Sequence, residues 1–168
     1  MSDMNSICIA LSKQWQGQPY GNLSLVLVFL RYLALVHQTN HHVAKGDMFY
    51  GDHLLFERLY NAVSPEIDLV AEKAVGMGAA QNVDLFKQAQ QLNQLVQNHK
   101  MTQRDIPTPT DLAMSSLIAE NLFLSAIEHA NQTFTAQSKL TKGIDNMLAQ
   151  IVDTHESHVY LLKQRVAF

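Results

Sequence analysis

Cysteine is almost missing from this 168-residue chain: Cys8 stands alone. One thiol excludes an intrachain disulfide and any multi-cysteine zinc site, an economy that fits a reducing, cytoplasmic setting. Cys8 reads as a small buried hydrophobe. Charge of one sign is also lacking, since a formal charge of -3 and a pI near 6.2 provide no global basic field to draw in nucleic acid or anionic membrane. No basic segment precedes the short apolar run Ile7 to Leu11, so no secretory signal is expected. The longest apolar stretch, Asn22 to Val36, is interrupted by Arg31 and falls short of the roughly 20 residues that cross a bilayer. It reads as a buried helix. Internal repeats, low-complexity tracts and Asn-Gly or Asp-Gly hairpin turns are absent as well, which removes the solenoid and meander architectures.

What is present is apolar residues, 47% of the chain, enough for one domain over 1–168 with a core that needs no cross-links. Between the scattered Gly and Pro residues they recur at helical spacing. Four long helices follow. The first spans 22–44 and the second 52–76, with a kink or brief break at Pro65, which lacks a backbone donor and crowds the preceding turn. A shorter helix, with Val83, Phe86, Leu92 and Leu95 inward, lies in the long connection to the third. The third starts at a Thr110-Asp111 cap and turns Ala113, Leu117, Leu124, Ile127 and Phe134 inward. In the fourth, Ile144, Leu148, Ile151, His155, His158 and Leu162 step by four and three, the seam of a packed bundle. Two short connections and one long crossover make an all-α, ferritin-like four-helix bundle.

The second long helix carries the candidate chemistry. His53, Glu57, Asp68 and Glu72 are spaced by four, eleven and four residues, which places them within roughly one third of the circumference at ~100° per residue. Imidazole and carboxylate are the donors that hold ferrous and ferric iron. Isolated surface carboxylates would ordinarily be solvated and inert, but a shared stripe of one His and three acids weakens that reading. His53 and Asp68 are nevertheless 15 positions apart, about 22 Å along the axis, too far for one metal centre. A second copy running antiparallel across a two-fold axis would bring one His53 end to the other chain's Asp68–Glu72 end, creating two identical sites. His41 or His42 would join from the end of the first helix.

The span from His37 to Gly78 resembles the Dps family, the mini-ferritins named for DNA protection during starvation. His41, Lys45-Gly46, Phe49 and His53 match the family's two helix histidines and the loop between them; Glu57 matches its nearby acid, and Asp68 and Glu72 its distal acidic pair. The segment from Ile144 to Leu162 is similar to its last bundle helix. This resemblance implies a homododecamer around a small cavity, with ferroxidase centres at two-fold interfaces that oxidise Fe(II), usually with hydrogen peroxide, and store Fe(III) mineral. It implies His41 and His53 as ligands from one subunit, Asp68 and Glu72 as ligands from its neighbour, and Glu57 as an accessory ligand. The competing function is an architectural or DNA-coating shell without a competent iron centre.

The chain also departs from the family. His42 stands where Trp is common, and it reads as a surface or interface histidine; His37, one turn earlier, reads as a satisfied interface histidine. His155 and His158 read as buried neutral imidazoles rather than ligands, and no Glu-x-x-His motif of the intrasubunit di-iron type occurs, which favours the intersubunit centre. The lysine-rich tail that neutralises DNA phosphates in several family members is lacking: the first twenty residues hold only Lys13, and DNA binding is expected to be weak or absent. Asp145 is a candidate for an iron-entry pore, against its plainer role as a solvated first-turn residue.

Overall fold

The computed structural model describes residues 2–98 and 107–167. Six α-helices form, with no strand among the described residues: α1 (Ser2–Lys13), α2 (Gly21–Val43), α3 (Phe49–Gly76), α4 (Leu85–Asn98), α5 (Pro109–Ala136) and α6 (Lys142–Val166), with a short 3-10 helix at Ala80–Val83. The long helices α2, α3, α5 and α6 pack as the bundle, and α4 lies in the crossover between α3 and α5. The expected four-helix architecture is therefore present.

Helix α2 is the core element. Leu23, Val26, Leu27, Leu30 and Leu33 are fully buried, and apolar residues occupy nearly its whole circumference, as a helix packed on several sides requires. Contrary to the sequence expectation, Gly21–Val43 is long and apolar enough to cross a membrane by composition, yet 78% of that apolar window is buried inside the bundle. Its partners are the apolar stripes of the other helices: Val63 and Val70 from α3, Leu122, Phe123 and Ile127 from α5, and Leu148 and Ile151 from α6. The seam expected in α6 is buried at all six positions.

Four expectations need correction. Helix α3 continues through Pro65 without a break. Pro65 and Asn61, whose carbonyl loses its usual donor, are both exposed, so the lost hydrogen bond falls on the solvent side of the helix rather than in the core. Helix α5 is capped at Thr108 rather than Thr110: the Thr108 hydroxyl accepts from the Asp111 N–H and the Asp111 carboxylate accepts from the Thr108 N–H, a reciprocal capping box with Pro109 at the first helical position. In α4, Leu95 is buried as expected, but Phe86 is 87% exposed and Gln88 and Gln91 face inward instead. Gln88 turns in because it bridges elements, accepting from Arg31 and donating to the Asn82 carbonyl. Finally, α1 was not anticipated; Cys8 and Leu11 pack into the main core, and burial raises the Cys8 thiol to about 11, the inert hydrophobe expected.

Candidate metal centre

His41 ends α2 and His53 lies in the second turn of α3, so the short connection folds them against each other. Gly46 supports that reversal with φ +82°, a left-handed conformation that side chains disfavour. The two imidazoles stack with centroids 3.7 Å apart and planes inclined by 27°. Each ring is fixed by the other residue's backbone: His41 Nδ1 donates to the His53 carbonyl at 2.9 Å, and His53 Nδ1 donates to the His41 carbonyl at 3.2 Å. A carbonyl only accepts, so both protons belong on Nδ1 and both Nε2 atoms carry lone pairs, the arrangement that orients a metal-ligating histidine. Tyr60 meets His41 edge-on at 5.3 Å and Phe49 lies 5.0 Å from His53. His42 is exposed, its ring tilted and 5.5 Å from His41, in keeping with a surface position.

Glu57 is half-buried one turn beyond His53, whereas Asp68 and Glu72 are exposed. Because α3 is unbroken, Asp68 stays about 22 Å along the axis from His53. One chain thus joins His41 to His53 and leaves Asp68 and Glu72 apart from them. Asp68 has a cationic neighbour in Arg31, whose pKa is lowered by burial and held up in part by the Asp68 charge.

A second group of donors, which the sequence reading set aside, occupies the bundle interior. Glu120 of α5 is fully buried and accepts from three imidazoles: His37 Nε2 at 2.9 Å and His158 Nδ1 at 3.1 Å on Oε1, and His155 Nδ1 at 2.6 Å on Oε2. His155 Nε2 donates to Glu66 Oε2 at 2.8 Å. His37 Nδ1 meets the Ser116 hydroxyl at 3.0 Å, and that hydroxyl also accepts from Asn40 at 2.8 Å. Burial disfavours the Glu120 carboxylate, but the three imidazole hydrogen bonds outweigh it and hold the group well below the usual carboxyl range. Burial likewise opposes charge on His155, and its bonds to Glu120 and Glu66 reverse the balance and raise it to about 9. His37 shifts downward, because burial there exceeds the attraction of Glu120.

Two expectations fail at this cluster. His155 is not a neutral imidazole with one hydrogen bond; it is bracketed by two carboxylates that favour its protonated form. His37 is not at an interface but wholly buried, bonded to Ser116 and Glu120 of α5. The interior holds metal-type donors although no Glu-x-x-His motif announces them. The overlooked signal was seam arithmetic. Glu66 falls in the run Leu59, Val63, Glu66, Val70, and Glu120 between Leu117 and Phe123, each at the three- or four-residue steps of a buried stripe.

The fold is that of known mini-ferritin structures. Dps from Thermosynechococcus elongatus superposes with a TM-score of 0.72 at 18% identity, covering 96% of this chain and 95% of that one. DpsC from Streptomyces coelicolor also gives 0.72 at 18% identity, over 91% and 90% of the two chains. A Dps protein from Vibrio cholerae O1, described as a member of a broad superfamily of ferritin-like diiron-carboxylate proteins, gives 0.69 at 12% identity over 94% and 91%. No protein-family model and no curated protein matches the sequence.

Proposed function

We propose that this chain is the subunit of a mini-ferritin that oxidises Fe(II) at centres shared across a two-fold axis and stores Fe(III) as mineral. The observation that carries this reading is the stacked His41–His53 pair, whose Nδ1 atoms are occupied by reciprocal carbonyls and whose Nε2 atoms are set as ligands. Two imidazoles alone make an incomplete iron site. The carboxylates that would complete it, Asp68 and Glu72, lie on the same face of α3 but about 22 Å away, so they would arrive from an antiparallel second copy, and the copy would receive the same in return. Glu57 is the accessory carboxylate beside the histidines. Exposed Leu54 and Val75 fall within the arc that runs from His53 to Glu72, and a second copy would cover them.

Iron is the substrate here. Two ferrous ions each give one electron to hydrogen peroxide; with two protons taken up, the O–O bond breaks and two waters form, which removes both reactants of hydroxyl-radical chemistry. The protein's part is to hold two ferrous ions beside hard carboxylate oxygens that favour the ferric product. Assembly of the two-fold pairs into a dodecamer would enclose the mineral.

The test is anaerobic addition of Fe(II) followed by peroxide, with Fe(III) absorbance as the readout. The variant carrying His53→Ala and Asp68→Ala should lose at least about 10- to 100-fold in initial rate while keeping the parent's oligomeric size. An equal rate in both proteins would sink the proposed centre, and a rate no greater than that of iron and peroxide without protein in either would leave an architectural shell as the reading.

A further inference from the structure

We propose that Glu120, His155 and His158, with His37 as a fourth donor, form a transition-metal site inside each subunit's four-helix bundle, separate from the intersubunit centre. Each of these residues belongs to one chain, so the inference does not depend on how subunits pair. Glu120, His155 and His158 each offer an atom within 4.8 Å of the others, and His37 Nε2 meets the same Glu120 oxygen as His158 Nδ1. A divalent ion with bonds of about 2.1 Å holds its ligands roughly 3 to 3.5 Å apart. The present separations of 2.6 to 3.1 Å between the imidazole nitrogens and Glu120 are close to that, and the whole donor set lies within 4.8 Å, so an ion could take the place of the bridging protons by rearrangement of side chains alone.

The surroundings are those of a built site. His155 turns Nδ1 toward Glu120 while its other nitrogen is anchored on Glu66, and His37 turns Nε2 toward Glu120 while its Nδ1 is anchored on Ser116, itself held by Asn40. In both, one nitrogen faces the centre and the other is fixed by an outer partner, the arrangement that orients imidazole ligands. Charge points the same way. Two carboxylates and three neutral imidazoles balance a single dication, which relieves the cost of buried charge without requiring protonated rings. Three imidazoles and a carboxylate, with no thiolate, suit Fe(II), Zn(II) or Co(II) rather than a soft ion such as Cu(I).

The experiment begins from the full-length chain carrying His53→Ala and Asp68→Ala, which disables the intersubunit centre. The protein is stripped with chelator, loaded with Co(II) alone, and examined by anomalous diffraction at the cobalt edge and by equilibrium cobalt titration. The expected result is one cobalt per chain bounded by Glu120, His155 and His158. In the same background Glu120→Gln should abolish that peak, and Ser116→Ala, which removes only the outer support of His37, should weaken cobalt binding about 10- to 100-fold. If Glu120→Gln fails to fold, the diffraction position and the Ser116→Ala titration still decide. A folded, cobalt-loaded protein without an anomalous peak at the cluster would overturn the proposal, as would unchanged affinity in both variants; the residues would then form a polar network only.

Discussion

At the scale of single residues, the two histidine groups differ in how they are held. His41 and His53 are oriented by backbone carbonyls, which carry no formal charge. The interior cluster is held by charge. In the metal-free protein His155 is bracketed by Glu66 and Glu120, with His37 and His158 on the same Glu120 carboxylate. Against the opposing effect of burial, its bonds to Glu120 and Glu66 push its pKa up to about 9 from the ordinary imidazole value of 6.5. A raised pKa means the stabilisation is fully present below the unfolded value and is lost as pH rises through the folded one. Urea denaturation of chelator-treated protein should therefore show the midpoint falling between pH ~7 and ~10, and His155→Gln should flatten that alkaline limb. A midpoint independent of pH over that range would contradict the bracketing.

At the scale of the elements, α3 decides how the proposed intersubunit centre would be composed. Its continuous course through Pro65 keeps His53 and Asp68 about four turns apart on one helix. Most of the helix pattern was legible because each stripe repeats locally: α2 and α6 need only their own 3.6-residue period to be recognised. Helix α1 was not, since its apolar run is short and its burial depends on docking against the distant α5 and α2. That docking is tight where the chain enters α2. A Cβ on Gly21 would lie 2.6 Å from the Trp15 carbonyl oxygen and 2.7 Å from Trp15 Cβ, so the backbone would have to move. Gly21→Ala should cost about 1–3 kcal/mol of stability, measurable in chemical denaturation, with the Trp15 fluorescence reporting the displaced turn.

For the whole molecule, the proposed intersubunit centre makes a prediction that no intrachain site shares. A subunit carrying His53→Ala and one carrying Asp68→Ala plus Glu72→Ala would each be inactive alone. Paired across a two-fold axis, one of their two centres would lack His53, Asp68 and Glu72 together and the other would keep every ligand. Random co-assembly should restore about a quarter of the parental Fe(II) oxidation rate, because half the pairs are mixed and half their centres are whole. Failure to recover any activity in verified mixed assemblies would argue against sharing.

The amino-acid order alone determined the four long bundle helices, the seam in α6, and the along-axis distance that separates Asp68 and Glu72 from His53, because all three follow from the fixed rise and period of one helix. It also placed His41 and His53 at the two ends of a short connection. Only the tertiary structure decided that His37 turns into the core, that Glu66 and Glu120 stay buried, and that with His155 and His158 they meet at one point. That convergence depends on the rotation and axial register of four separately encoded helices, which are set by packing between residues as many as 89 positions apart.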